Sequence, residues 1–365
     1  MPLAWSGESS APGAREPEAL TLALARAIPG FTRPDYGKGW EELGLDSFDL
    51  LSLRLAVEDA LGGELADADW VAAATPADLL ALATRRTPAG GAPAQRPSLR
   101  RTVELGMPEM ALCGLSESWL LKALGDLHWQ LVGTALGCRP SEIADSFGHR
   151  LYPAFTRLHF VSSQPIASYE EGETLSFDAT LSRFGAGIFF SAIRVVGAQG
   201  RSIDARLMSS FAYRGDGGGN GGLVRGQPSL ADDDALPSLA AMPPFGERYR
   251  ERRRERDAVK PILARRVYEL IPQHDINGVG LLYYAAYPLI ADICQMRGSE
   301  QGAAWAAATS TMERDICYFA NADVDAHLEW RLHRDEAGDG LATEASIVRD
   351  DGVVMALVTS RKASL

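Results

Sequence analysis

Apolar residues recur at helical spacing through the first quarter of the chain. The clearest example follows Ser47, where an apolar stripe is formed by Phe48, Leu51, Leu55 and Leu61. The stripe predicts a helix over residues 47–61, with Ser47 exposed at its start. Shorter stripes predict further helices at 18–27, near 69–73 and at 76–83. Four short helices with apolar faces are typical of a small bundle, which we predict over residues 17–84.

The pattern changes after residue 102. A short strand-like segment precedes a long amphipathic helix at 116–136, and four alternating or apolar runs follow at 151–161, 174–182, 187–196 and 202–213. The same order then returns, with a strand at 266–271, a helix at 280–296 and four strand-like runs that end near Lys362. The chain therefore contains one helix-plus-strands unit twice, at 102–214 and 258–365.

Single residues also repeat between these two units. Glu104-Leu105 recurs as Glu269-Leu270, Gly114-Leu115 as Gly278-Val279 and Asp126 as Asp292, at a nearly constant spacing. A long helix followed by an antiparallel sheet that wraps it is the hot-dog arrangement. We therefore predict an α+β chain: a double hot-dog preceded by the small helical bundle.

Two segments between these blocks have the composition of linkers. Residues 85–98 are rich in Pro, Gly and Ala, which predicts a flexible tether, and we assign 85–101 to this linker. The second linker, at 215–257, begins with a glycine run and ends in an arginine-rich run at 248–256. The arginine-rich run favours a solvated linker helix.

Charge is concentrated at the N-terminal end. The chain has 365 residues, 46% hydrophobic and 23% charged, and a net charge of -12. Residues 1–84 contain 14 Asp/Glu and 5 Lys/Arg, an acidic surface that suits basic partner proteins and argues against nucleic acid. Simple solubility explains the same charge.

Other classes are disfavoured by what the sequence lacks. No apolar run reaches the length of a membrane span, and the N-terminus has no secretory pattern, so we expect a cytoplasmic protein. The four cysteines lack metal or redox spacing, so we expect reduced thiols, no disulfide and no metal site.

The serine that opens the second predicted helix belongs to a recognisable motif. Gly44-Leu45-Asp46-Ser47-Phe48 resembles the attachment site of acyl carrier proteins. This resemblance implies a 4'-phosphopantetheine group held covalently by Ser47, and it extends over the whole predicted bundle. An ordinary Asp-Ser helix cap is the alternative.

Three stretches of the repeated region resemble one family. They are L-G-M-P-E-M-A-L-C-G-L-S-E-S-W-L-L (105–121), R-L-Y-P-A-F (150–155) and D-I-N-G-V-G-L-L-Y-Y-A-A-Y-P (275–288). Residues 102–365 resemble the double hot-dog acyltransferase/decarboxylases of polyketide pathways, of the leinamycin type. The N-terminal carrier domain departs from the stand-alone form of that family.

The resemblance implies a specific reaction. The enzyme would take a (methyl)malonyl group from acyl-CoA, decarboxylate it, and load the propionyl or acetyl product onto a carrier thiol of a polyketide or hybrid assembly line. The carrier would act in cis or in trans. A tyrosine is the proposed acyl acceptor in this family, and Tyr152 is the matching position.

The residues around Tyr152 are consistent with an acceptor, although a tyrosine in such a strand is more often core. A phenol has an ordinary pKa of about 10 and needs a nearby donor or cation to become a good nucleophile. On an alternating strand Arg150 and Tyr152 share a face while His149 points away, so Arg150 is the better placed cation.

Decarboxylation requires donors for the developing enolate oxygen. The segment His274 to Gly280 precedes the second predicted long helix, so we expect its N–H groups, with the Asn277 amide, to form an oxyanion site. His274 and Asp275 are further catalytic candidates, and Gly278 would allow close approach of a thioester. Helix capping is an equally good explanation of Asp275.

Other functions of the same fold remain open. His274 and Gly278 begin a dehydratase motif whose proline position holds Tyr283, and Asp275 could activate water in a thioesterase. A carrier-docking scaffold that uses the arginine-rich run is a third class. Thr311 and Arg314, on a strand expected to line the groove beside the second helix, are candidate substrate contacts.

Overall fold

The computed structural model describes residues 97–185, 187–215, 223–228, 236, 238–239, 241–337 and 341–365, and, nearer the N-terminus, residues 21, 24–25, 28, 31–45, 49–50, 53–54, 57, 65 and 67–83. Most of the predicted tether lies outside this set. The chain divides into two compact units, Met1–Pro93 with Phe184–Ala186 and Ser238–Met242, and Ala94–Arg183 with Gly187–Pro237 and Pro243–Leu365.

The described part of the first unit is helical. It contains a 3-10 turn at Arg33–Gly37 and helices α1 (Asp67–Ala72) and α2 (Pro76–Ala83). Leu53 and Val57 are fully buried in its core, although neither belongs to the predicted stripe, whose members lie outside the described residues.

The second unit is a large antiparallel sheet with two packed helices. Within the described residues the sheet has 11 strands. The strands are β1 (Ser98–Glu104), β2 (Tyr152–Ser162), β3 (Thr174–Phe184), β4 (Ile188–Val196), β5 (Ser202–Arg214), β6 (Leu223–Gly226), β7 (Ala264–Glu269), β8 (Thr309–Tyr318), β9 (His327–Ala337), β10 (Leu341–Arg349) and β11 (Val354–Ser364).

Strand order confirms the predicted duplication of the hot-dog unit. The sheet runs β1-β3-β4-β5-β2 through the first repeat, and β7-β9-β10-β11-β8 is the equivalent order in the second. The repeats join where β2 and β8 pair antiparallel, with His159 opposite Asp315. The molecule is therefore an α+β double hot-dog with one continuous sheet.

The first long helix, α3 (Glu117–Leu136), matches the predicted segment closely. Ser116 caps its start by accepting a hydrogen bond from the Trp119 N–H, and Gly137 ends it in a left-handed conformation at φ 66°. Trp129 contacts Phe211 of β5, with ring centroids 6.4 Å apart. The apolar face of α3 thus packs on the sheet of the first repeat.

The linker between the repeats contains a helix where the arginine-rich run favoured one, but this helix is partly buried instead of fully solvated. Helix α4 (Pro244–Glu255) lies within it, and its Phe245 and Tyr249 side chains are buried. A short helix, α5 (Pro272–Asp275), follows β7. Throughout the part of the chain that the structure describes, every helix is too short or too polar to cross a membrane.

The second long helix begins later than predicted. Helix α6 covers Ala286–Gly298, not 280–296, and a short α7 (Ala303–Ala308) follows it. Gly280 has φ +77°, which interrupts a helix, and Leu282 bridges back to Ile276. Residues 276–282 therefore form a closed loop, and Tyr283 and Tyr284 precede the helix on which they were expected.

Candidate functional site

Tyr152 is the first residue of β2, and it precedes the part of that strand, residues 157–161, that pairs with β8. It lies opposite Ala212 of β5, and its side chain is partly buried. The Arg150 guanidinium carbon is 5.2 Å from the centroid of the Tyr152 ring. The two side chains share a face, as strand alternation predicts, and the cation lies on the ring face instead of hydrogen-bonding the phenol oxygen.

His149 is directed to the other side of the strand. Its Nδ1 lies 2.9 Å from Asp145 Oδ2, and its ring stacks on Tyr213 at 4.7 Å between centroids. The loop before β2 is therefore fixed by its own residues, which leaves Arg150 as the cation beside Tyr152.

Arg214, which the sequence offered no reason to select, links the end of the sheet at Tyr152 to the second repeat. Arg214, two positions after Ala212 on β5, donates a hydrogen bond to the Val279 carbonyl. A Cβ atom on Gly280 would come within 2.9 Å of an Arg214 guanidinium nitrogen. The end of β5 and the 276–282 loop are consequently in direct contact.

The expected oxyanion site does not have the predicted geometry. The segment precedes α6 by several residues, and its N–H groups are largely engaged: Asn277 N donates to Leu281 O at 2.8 Å and Gly280 N to Asn277 O at 2.9 Å. Asn277 Oδ1 accepts from the N–H groups of Val279 and Leu281. Asn277 thus stabilises the loop, and the expectation of open N–H groups at a helix start is wrong.

Asp275 and His274 form a structural pair at this position. The Asp275 side chain is fully buried and accepts hydrogen bonds from Tyr268 Oη at 3.1 Å and Ile271 N at 2.8 Å. Its other oxygen lies 2.8 Å from His274 Nδ1. A carboxylate enclosed in this way caps the turn and is shielded from bulk water, which supports the capping interpretation.

Gly278 is exposed, and a Cβ placed on it would meet nothing within 4 Å. The approach of a thioester to Gly278 stays a prediction, and the crowded glycine of this segment is Gly280, whose Cβ position lies close to the Arg214 guanidinium.

The 276–285 region also packs on α3 of the first repeat. Tyr284 Oη donates to Leu121 O at 2.9 Å, and Lys122 Nζ is 5.5 Å from the centroid of the Tyr283 ring. Burial raises the pKa of both phenols, that of Tyr284 well above its ordinary value. These tyrosines are therefore neutral groups that join the two repeats.

Thr311 and Arg314 are not placed as substrate contacts, because both lie inside a buried ionic network. Arg314 is completely buried and donates to Glu117 Oε1 at 2.7 Å and to Asp292 Oδ2 at 2.9 Å. Thr311 Oγ1 donates to Glu117 Oε2 at 2.7 Å. Lys362 Nζ contacts Asp292 at 2.8 Å. These residues are saturated by one another, which corrects the prediction.

This network is close to electrically neutral. Although burial acts to raise it, the pKa of Asp292 lies below its ordinary value, because Arg314 and Lys362 favour the carboxylate. Glu117 begins α3 of the first repeat, whereas the other charged groups belong to the second. The network therefore ties the repeats together on the helix side of the sheet.

Ser47, the predicted attachment residue, lies outside the described residues. The phosphopantetheine site remains a prediction from the motif.

Comparison with solved structures identifies the class of fold. A Lactobacillus plantarum chain, described provisionally as an oleoyl thioesterase, aligns over 74% of this chain and 98% of its own length, with a TM-score of 0.53 and 13% identity. The 12:0-ACP thioesterase of Umbellularia californica aligns over 73% of this chain and 98% of its own, with a TM-score of 0.49 and 12% identity. At 13% identity, the alignment with the Lactobacillus plantarum chain shows the fold alone, which is the hot-dog fold. No protein-family model matches the sequence, and no curated protein matches it significantly.

Proposed function

We propose that the double hot-dog acts on acyl thioesters at the sheet end where β5, the strand paired with β2, contacts the 276–282 loop. The observation that carries the proposal is the contact of Arg214 with Val279, which joins the strand neighbour of Tyr152 to the other repeat. A partly buried phenol beside a guanidinium, next to a loop from the second repeat, is a suitable place for acyl transfer. The fold is shared with a chain described provisionally as a thioesterase.

The particular reaction that we propose is acyl transfer with decarboxylation. The Tyr152 oxygen attacks the thioester carbonyl carbon of a (methyl)malonyl-CoA, the C–S bond breaks, and the departing thiolate receives the phenol proton. The C–C bond to the carboxylate then breaks, CO₂ leaves, and the resulting enolate is protonated by water. A phenyl ester is activated, so a carrier thiol takes the acyl group and the phenol regains a proton.

The acceptor in this proposal is a phosphopantetheine thiol, and 4'-phosphopantetheine on Ser47 would supply one within the same chain. A carrier in trans, within a polyketide or hybrid assembly line, would serve equally. The acidic composition of residues 1–84 suits docking to basic surfaces of either kind of partner.

Hydrolysis of carrier- or CoA-bound acyl groups is the second candidate, favoured by the likeness to the provisional oleoyl thioesterase. The burial of Asp275, with three hydrogen-bond partners, weighs against the base that we had considered for it. A dehydratase has less support, because its expected acid-base histidine, His274, is paired with that same aspartate.

Intact-mass measurement after incubation with methylmalonyl-CoA distinguishes these reactions. We expect a propionyl adduct on the phosphopantetheinylated protein and on Ser47→Ala, and its loss in the double variant Ser47→Ala/Tyr152→Phe. Tyr213→Phe, a partly buried phenol on the neighbouring strand, is the matched control. An adduct that survives in the double variant would refute the tyrosyl ester, and free acid without any adduct would indicate a thioesterase.

A further inference from the structure

Two arginines occupy opposing positions just beyond Tyr152, at one end of the antiparallel β2–β5 pair. In the β2–β5 ladder Tyr152 is opposite Ala212. Arg150 precedes Tyr152 by two residues, and Arg214 follows Ala212 by two, so strand alternation directs both side chains to the face that Tyr152 occupies. Both residues are exposed. The Arg150 guanidinium therefore lies against the Tyr152 ring, and the register of the two strands places Arg214 across from Arg150.

Arg150 is a cation without a carboxylate partner among the described residues. Its guanidinium lies over the Tyr152 ring. The carboxylate of the preceding loop, Asp145, is already engaged: it accepts from the N–H groups of Phe147 at 2.9 Å and His149 at 2.8 Å, and its second oxygen contacts His149 Nδ1. Asp145 therefore does not pair with Arg150.

Arg214 is positioned by the other repeat. Its hydrogen bond to the Val279 carbonyl orients the guanidinium, and Gly280 provides the space for it, since a Cβ at that position would lie 2.9 Å from the guanidinium nitrogen. Gly280 also has φ +77°, which favours glycine independently. The second glycine of D-I-N-G-V-G thus serves both the loop conformation and the placement of Arg214.

We propose that Arg150 and Arg214 form an anion clamp that binds an oxyanion group of the thioester substrate beside Tyr152. Guanidinium forks match both carboxylate and phosphate, and hydrogen bonds to such charged groups are the strong ones. The clamp rests on the proposed function for its choice of ligand. Two parts of that ligand are oxyanions that a guanidinium can bind: the free carboxylate of a malonyl-type acyl group and the phosphates of CoA or pantetheine.

Binding measurements without turnover test the clamp. Titration calorimetry on the full chain, in a Tyr152→Phe background, would give Kd values for malonyl-CoA, acetyl-CoA and acetyl-dephospho-CoA, which lacks the 3'-phosphate. The variants are Arg150→Gln and Arg214→Gln. Arg194→Gln is the matched control, since this exposed arginine pairs with Asp204 on the neighbouring strand.

The comparison among ligands identifies the group that is bound. We expect each variant to weaken binding about tenfold for the ligands that carry the recognised group. Loss of a malonyl-over-acetyl preference identifies the carboxylate, loss of an acetyl-CoA-over-dephospho preference identifies the 3'-phosphate, and uniform weakening identifies the pyrophosphate. Kd values for all three ligands that match those of Arg194→Gln would overturn the clamp.

Gly280→Ala provides an independent variant that leaves both arginines in place. Its Cβ would displace the Arg214 guanidinium, so we expect the same ligand pattern as in Arg214→Gln, and unchanged Kd values would contradict the placement. The assay is separate from catalysis: a chain that binds through the clamp but forms no adduct would refute the proposed reaction alone. An adduct formed without any change in Kd would refute the clamp alone.

Discussion

His128 lies in the middle of α3, fully buried in the core of the first repeat. Its Nδ1 and Nε2 atoms are each 2.7 Å from a serine hydroxyl, Ser191 on β4 and Ser209 on β5. Burial lowers the pKa of His128 from an ordinary value of 6.5 to about 3. The imidazole is therefore neutral, donating to one hydroxyl and accepting from the other.

The neutral His128 predicts loss of stability at mildly acidic pH. The unfolded chain binds a proton at this residue as the pH falls below about 6.5, whereas the folded chain does not until about pH 3. Stability should therefore fall by about 1.4 kcal/mol per pH unit below 6.5, or about 2 kcal/mol between pH 8 and pH 5. Urea unfolding at several pH values would measure this slope.

A His128→Gln variant separates this effect from other titrating groups. The variant should be less stable than the wild type at pH 8, but the difference should shrink as the pH falls. Parallel pH profiles for the two proteins would show that His128 does not contribute to the slope.

The sequence predicted the location of a site residue where a sequence motif contained it. It could not do so where the location depends on how two distant strands pair. Tyr152 and Arg150 are neighbours in sequence, and alternation sufficed to put them on one face. Arg214 is beside them only because β5 pairs with β2. The strand position of Arg314 was recognised, but its predicted role as a substrate contact was wrong. The two carboxylates that enclose it come from distant helices, so no sequence pattern indicated them.

At the scale of elements, the contact between α3 and the region before α6 depends on Gly125, because this residue has no side chain. Tyr284 Oη reaches the backbone of α3 at Leu121, directly over Gly125. Glycine in the middle of a helix ordinarily reduces stability relative to alanine. At this position it leaves space for the phenol of the other repeat, which no helical pattern reveals.

We predict that Gly125→Ala destabilises the protein despite the higher helix propensity of alanine. A Cβ at Gly125 would overlap the Tyr284 hydroxyl, and overpacking of this kind costs about 1–3 kcal/mol. Thermal unfolding of the variant, compared with Gly125→Ala/Tyr284→Ala, would test the cause. A stabilised single variant, as propensity alone predicts, would contradict the contact.

At the scale of the whole molecule, the two hot-dog repeats are joined at the β2–β8 seam by a buried ion pair. Arg157 of the first repeat binds both oxygens of Asp315 in the second, at 2.8 and 2.7 Å. Arg157 also donates to Phe245 O of α4 at 2.7 Å and lies 4.4 Å over its ring. The linker helix is thereby fixed across the seam, which explains why this segment is ordered.

Asp315→Ala should consequently lower the stability of both repeats together. The Arg157 side chain is only 7% exposed, so removing its partner leaves a buried unpaired charge, at a cost of about 3–5 kcal/mol. The control Asp204→Ala breaks an exposed pair with Arg194, and its cost should stay below about 1 kcal/mol. Similar shifts of the urea midpoint in the two variants would contradict the seam's role.

The sequence by itself determined the elements that depend on local order: the long helix at 116–136, the alternating strands and the duplicated unit that makes a double hot-dog. Hydrophobic periodicity and the signals at helix ends involve residues that are close in sequence, so they can be recognised without the structure. Only the tertiary structure decided the start of α6, the burial of Asp275 and Arg314, and the meeting of Arg214 with Val279. Each of these depends on which distant segments pack together, because burial and charge pairing are set by neighbours in space and not by neighbours in sequence.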